Sequence, residues 1–161
     1  MRRRVQCLVG LTGIFLLVHS QCFAQVYSVG GRGGFSIFSY GNSSTGLQIG
    51  PSFDVELQRG LALGTELNIN TQGGTPVEWA SYGKYFLDAP AYNFRPYVDG
   101  GIGIWFVSGG PYFGIRGGGG MYFPIGPNLM VPADIQIGPV FTSGSSTFYV
   151  AITSGIRYTL P

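Results

Sequence analysis

Charge is scarce in this chain. Lys, Arg, Asp and Glu make up 10% of its 161 residues, against about 25% in an ordinary soluble domain. Histidine occurs once, at His19, and cysteine twice, at Cys7 and Cys22. No window carries the 3.6-residue period of an amphipathic helix. Glycine is abundant, at 28 residues, with aromatics at 15% and apolar residues at 45%. There is no Gly-X-Y repeat, and the many Tyr and Phe exclude a flexible linker. A disordered chain would be poorer in apolar residues. A soluble enzyme with a charged surface is disfavoured from the outset.

The N-terminus reads as a targeting segment. Arg2, Arg3 and Arg4 form a basic start, and Val5 to Val18 is almost wholly apolar. Small residues occupy the −3 and −1 positions of a cut after Ala24, so residues 1–24 form a secretory signal peptide. The apolar run is too short for the ~20 residues of a spanning helix. Gln21 before Cys22 does not suit a lipoprotein signal. Residues 25–161 then make one domain. Cleavage takes away both cysteines and the histidine. Disulfides, Cys/His zinc sites and histidine-based triads go with them. With Arg2 to Arg4 removed, 6 of the 9 basic residues face all 7 acidic ones, and net charge moves from +2 to −1. The basic excess belongs to the leader and implies no nucleic-acid partner.

Within 25–161 strict alternation recurs from end to end. Phe148, Val150, Ile152, Ile156, Tyr158 and Leu160 share one phase; Tyr149, Ala151, Thr153, Gly155, Arg157 and Thr159 share the other. A one-residue slip would exchange the faces, so register is strongly specified. The pattern yields eight strands, at about 26–38, 46–57, 61–70, 76–87, 94–107, 112–125, 129–141 and 147–160. Gln58-Arg59-Gly60, Asp88 to Asn93 and Gly126-Pro127-Asn128 are compact breaks. Tyr40 to Thr45, Thr71 to Thr75, Ser108 to Gly110 and Thr142 to Ser146 read as Gly/Ser/Thr-rich loops. Connections this short specify an all-β, antiparallel up-and-down meander, and eight such strands can close into a barrel.

Alternation alone does not say which face points inward. The charges decide it. Of 13 in the mature chain, Arg59 and Asp88 fall in turns. The other eleven lie on the less apolar phase: Arg32, Asp54, Glu56, Glu66, Glu78, Lys84, Arg95, Asp99, Arg116, Asp134 and Arg157. Spread over eight strands they would make a meagre water-facing coat. Five cations and six anions can instead neutralise one another in a narrow interior, where burial demands pairing. The apolar phase then faces lipid. Alternating strand directions place Phe35, Trp79, Phe106, Phe113, Phe141 and Phe148 toward the outer rim. Tyr27, Tyr85, Phe94, Phe123 and Tyr158 fall toward the inner rim. Two aromatic girdles are the mark of a transmembrane barrel.

Three stretches carry a family resemblance. They are Gly83-Lys84-Tyr85-Phe86-Leu87, Phe94-Arg95-Pro96-Tyr97-Val98-Asp99-Gly100-Gly101-Ile102-Gly103 and Gly155-Ile156-Arg157-Tyr158-Thr159-Leu160. With them the chain resembles the small OmpA/OmpX-like and opacity-like, porin-like outer-membrane barrels of Gram-negative bacteria, over essentially the whole mature length. The last stretch resembles the terminal strand read by the barrel-assembly machinery. That signal normally closes on an aromatic residue; this chain closes on Leu160-Pro161. The resemblance implies an eight-stranded transmembrane barrel in the bacterial outer membrane, with lipids and the assembly machinery as partners.

Other chemistry finds little support. The runs Gly30 to Gly34 and Gly117 to Gly120 lack the following helix that a phosphate loop needs. Asp54 and Glu56 share one phase of one strand and read as members of an ion network with Arg32 or Arg116. Lipid-modifying barrels of similar shape use a histidine, which the mature chain lacks. No catalytic, cofactor-binding or metal-binding residue is expected. The expected role is structural or one of surface interaction, through a still undefined extracellular partner. A narrow or gated solute pore and a soluble secreted barrel binding a small ligand stand as alternatives.

Overall fold

The computed structural model describes residues 26–40, 42–57, 60–71, 76–88, 93–107, 109–142 and 144–161. The leader expected over residues 1–24 lies outside the described residues. The chain forms eight strands: β1 (Val26–Tyr40), β2 (Asn42–Glu56), β3 (Leu61–Asn70), β4 (Val77–Phe86), β5 (Arg95–Val107), β6 (Gly110–Pro124), β7 (Leu129–Thr142) and β8 (Ser145–Thr159). Each pairs antiparallel with its sequence neighbours, and β8 returns to β1, closing an all-β barrel. Closure satisfies the backbone edges that an open sheet would present.

The register is staggered. From Met121 the pairings run through Ala133, Ser154, Gly33, Ile49, Ile69, Val77 and Phe106 to Pro111. One circuit therefore returns to β6 ten residues from its start. Such a shear across eight strands corresponds to a strand tilt of roughly 40°. The stagger sets which inward side chains share a level, so it decides the contacts in the lumen.

Burial alternates with period 2 through most of each strand, with a break at Gly117 to Gly120 in β6. In β4 the inward residues Glu78, Ala80, Tyr82, Lys84 and Phe86 are all buried, while Trp79, Gly83 and Tyr85 between them are exposed. The residues that expose the most apolar surface, such as Ile49, Phe35, Ile152 and Ile156, all point away from the lumen. The arrangement is a surface turned inside out. A soluble barrel buries its apolar phase; this one buries its charges.

Two of the expected loops are largely strand. β1 and β2 pair up to Tyr40↔Asn42, so most of Tyr40 to Thr45 belongs to the ladder. Likewise β7 and β8 pair up to Thr142↔Ser145, absorbing most of Thr142 to Ser146. Ser and Thr composition resembles a loop, yet both residues accept extended geometry and pair across strands. Gly144, at a φ of 92°, supplies the left-handed residue of the second hairpin.

Space inside is tight enough that glycine is required next to the largest side chain. A Cβ at Gly103 would lie 2.5 Å from the Trp105 ring, and one at Gly114 would lie 2.6 Å from it. The two glycines form the seat on which the indole lies, leaving Trp105 only 1% exposed.

Candidate functional site

The lumen holds the chain's charged chemistry and is organised in tiers. One mouth of the barrel carries both chain ends; the other carries the β1–β2, β3–β4, β5–β6 and β7–β8 hairpins. We call them the terminal mouth and the hairpin mouth. Each is closed by aromatics, and ion pairs fill the space between.

At mid-height Arg32, Glu66, Glu78, Arg116 and Asp134 form one continuous network. Arg32 donates to Glu66 and to Asp134, and its Nη2 also reaches Thr153 Oγ1 at 2.8 Å. Arg116 Nη1 donates to Glu66 Oε1 at 2.6 Å and to Glu78 Oε1 at 2.8 Å. Asn68 Nδ2 bridges the same two glutamates at 2.9 and 3.1 Å. Tyr97 Oη donates to Asp134 Oδ2 at 3.0 Å. All five charged residues are buried. Removing ions from water is costly, and the pairing offsets that cost; the Nε atoms of Arg32 and Arg116 make no hydrogen bond among the described residues.

A second group lies nearer the terminal mouth. Lys84 Nζ donates to Asp54 Oδ2 at 3.0 Å and to Tyr122 Oη at 2.7 Å. Arg157 pairs with the same carboxylate. The Lys84 ammonium also lies 4.7 Å from the Tyr82 ring centre, 4.9 Å from Tyr97 and 5.3 Å from Tyr122. Three ring faces and one carboxylate thus replace its hydration shell. At the mouth itself Arg95 grips Glu56 with two hydrogen bonds of 2.7 and 2.5 Å, and both remain partly exposed. Asp99 accepts two bonds from Gln136 Nε2, at 3.1 and 2.8 Å.

The partners of Asp54 and Glu56 differ from the expected Arg32 or Arg116. Asp54 takes Lys84 and Arg157, and Glu56 takes Arg95. The cause is the stagger. Asp54 lies opposite Ser28, whereas Arg32 lies opposite Gly50, two inward positions farther up the lumen.

Aromatics close both ends. Phe86, Tyr97 and Tyr122 pack at the terminal mouth with Ala62 and Met130. Their ring centres are 4.9 to 6.0 Å apart. Trp105 and Tyr149 pack at the hairpin mouth with Val140, Ala151, Phe38 and Tyr112. Tyr149 Oη is fixed by Gln48 Oε1 at 2.7 Å. Trp105 Nε1 makes no hydrogen bond among the described residues.

On the outward face Phe106, Phe113, Phe141 and Phe148 lie close to the hairpin ends of their strands. Phe113 and Phe141 are stacked at 6.5 Å. Phe35 lies five residues short of the end of β1, and Trp79 two residues into the short strand β4. Tyr27, Tyr85, Phe123 and Tyr158 lie at the terminal ends, with Phe94 just before β5 and 6.0 Å from Phe123. Between the two sets the outward positions mix small residues, Gly33, Gly83, Gly100, Gly119, Ala133 and Ser154, with large apolar ones such as Ile102, Ile115, Ile137 and Ile152.

The closed barrel, its staggered register and its inverted faces can be set against known proteins. Neither protein-family models nor curated protein sequences give a match. Solved structures do. Neisserial surface protein A is similar with a TM-score of 0.73 at 13% identity, over 84% of this chain and 99% of that one. The N-terminal β-barrel domain of Pseudomonas aeruginosa OprF follows with a TM-score of 0.56 at 15% identity, over 81% and 97%. Ail, the attachment invasion locus protein of Yersinia pestis, gives 0.51 at 13% identity, over 84% and 97%. The fold is that of the small eight-stranded outer-membrane barrels. At such identities the likeness concerns the fold, and the lumen must be read from its own residues.

Every lumenal carboxylate is engaged by a cation or an amide. Among the described residues no group of three or more His, Cys, Asp or Glu side chains is placed to hold a metal ion. That aromatics close both mouths is not among the features expected from the sequence. Their signal is visible there, because Phe38, Phe86, Tyr97, Trp105, Tyr122 and Tyr149 all sit on the charged phase, where a lipid-facing aromatic would not.

Proposed function

We propose that this chain is a non-enzymatic, integral outer-membrane protein of a bacterial envelope, exported by its 1–24 leader. Its barrel gives structural support to the membrane and presents short hairpins for modest surface interactions. One observation carries the reading: an apolar face encircles the barrel while eleven charged side chains turn inward or line the mouth. That surface is suited to lipid hydrocarbon and ill suited to water. Similar barrels named as a surface protein and as an attachment protein support the placement. The Gly155-to-Leu160 strand suits recognition by the barrel-assembly machinery, and outer-membrane lipids are the surrounding partners.

The lumen favours support over transport. An eight-stranded interior is just wide enough for side chains to fill. Here both mouths are packed with aromatics, and the space between is spanned by ion pairs. Fractionation of cells expressing the full chain tests the placement. The mature protein is expected in the outer-membrane fraction, with faster gel migration before boiling than after. Recovery in a detergent-free soluble fraction would overturn it.

A further inference from the structure

At the terminal mouth lies a cavity of about 370 Å³, lined among the described residues by Gly60, Tyr85, Phe86, Leu87, Asp88 and Arg95. That volume is within the range of small-ligand sites. We propose that it binds the head group of a phospholipid carrying both a phosphate and a primary ammonium, of the phosphatidylethanolamine kind. The inference rests on the outer-membrane reading above, which puts this rim at the boundary between hydrocarbon and water.

The lining provides one group for each part of such a lipid. Arg95 is the cation for the phosphate. Its guanidinium is held in place by Glu56 and lies 3.7 Å from the centre of the Phe86 ring. Its side chain is still 41% exposed, which leaves N–H donors free to face a phosphate oxygen. Asp88 is the anion for the ammonium. It is exposed and makes no ion pair among the described residues. A carboxylate accepts hydrogen bonds from a primary ammonium; a quaternary one has none to donate. Tyr85 and Leu87 point outward and are exposed, so the acyl chains can leave along them into the bilayer.

Two further details fix the backbone of the lining. Gly60 adopts a φ of 76°, and a Cβ there would lie 3.3 Å from the Phe86 carbonyl oxygen. The Leu87 N–H donates to Pro96 O at 2.9 Å, which fixes the β4 end beside Arg95. The charges also argue against a simple anion site. Arg95 is already neutralised by Glu56, and Asp88 adds a negative charge. Among the described lining residues a purely anionic head group meets no unpaired cation, whereas the ammonium of a zwitterionic one meets the unpaired Asp88 carboxylate.

The test uses the mature chain in bilayer discs of mixed phosphatidylethanolamine, phosphatidylcholine and phosphatidylglycerol. Lipid retained on release is counted by native mass spectrometry. The wild type is expected to keep the ethanolamine lipid about fivefold over either competitor, an increment typical of one added hydrogen bond. Asp88→Asn removes the ethanolamine preference and leaves the glycerol lipid no worse. Asp88→Lys, which reverses the charge, shifts retention toward the glycerol lipid. Soluble phosphoethanolamine in millimolar excess does not displace the retained lipid, because it lacks the acyl chains. Equal retention of the three lipids, or a preference unmoved by Asp88→Asn, would overturn the site; displacement by the soluble head group would overturn a membrane lipid as its occupant. A wild-type chain that fails to enter the bilayer would instead overturn the membrane reading, and the site with it.

Discussion

Replacing Arg116 by methionine removes the cation that serves two buried glutamates. Glu66 keeps Arg32 as a partner, but Glu78 keeps only the Asn68 amide. The five-residue network then passes from two cations and three anions to one cation and three anions. Breaking a buried pair in this way costs about 3–5 kcal/mol, or roughly two to three and a half powers of ten in the folded-to-unfolded ratio. Adding Glu78→Leu withdraws the stranded carboxylate. Asn68 still donates to Glu66 Oε1, so the double variant should return to within about 1–2 kcal/mol of the wild type, as apolar replacement of a complete buried pair often does. Guanidinium unfolding in lipid vesicles, followed by tryptophan emission and gel mobility, measures all four corners of the cycle. A loss below about 1 kcal/mol for Arg116→Met would refute the reasoning. So would a double variant as unstable as the sum of its parts, because coupling between contacting groups is the substance of the claim.

Three other outcomes follow from the same structure. In planar bilayers the wild type should be silent. Trp105→Ala/Tyr149→Ala and Tyr97→Ala/Tyr122→Ala should each stay closed, because the mid-height ion pairs still span the lumen; steady conductance by the wild type would favour the pore. Ile152→Arg, on the outward face and 58% exposed, should cost about 2–4 kcal/mol in a bilayer, against about 0–1 for Leu160→Arg at the rim; equal costs would contradict a lipid-facing surface. Gly103→Val, pressed against the Trp105 ring, should lower stability by about 1–3 kcal/mol. Gly31→Val, where a Cβ meets nothing within 4 Å, should leave the unfolding midpoint almost unchanged.

Much of the architecture was legible because a closed barrel is written in a period of two. Ile152 and Thr153 differ in character, and the fold sends one outward and the other into the lumen. The charged residues share a phase in the sequence, and burial follows that phase. What alternation does not encode is the shear. Without the ten-residue stagger, Asp54 has no reason to choose Lys84 and Arg157 over Arg32. Strand ends were also hidden, since Asn42 to Thr45 has the composition of a loop and the pairing of a hairpin. Trp105 and Tyr149 were hidden for another reason. An aromatic on a polar phase is conspicuous, but only the closed ring of strands shows that several of them meet at one mouth.

The central claim is that the face of the barrel touching lipid is the one carrying its apolar residues. Two tryptophans report on it directly. Trp79 is 49% exposed on the outward face, and Trp105 is 1% exposed in the lumen. Trp105→Phe forfeits no hydrogen bond seen among the described residues, and it leaves Trp79 as sole reporter; Trp79→Phe leaves Trp105. In vesicles made with phospholipids brominated along the acyl chain, Trp79 emission should be strongly quenched and insensitive to aqueous iodide, while Trp105 should respond to neither. Quenching of Trp79 by iodide with no effect of the brominated lipid would contradict the account.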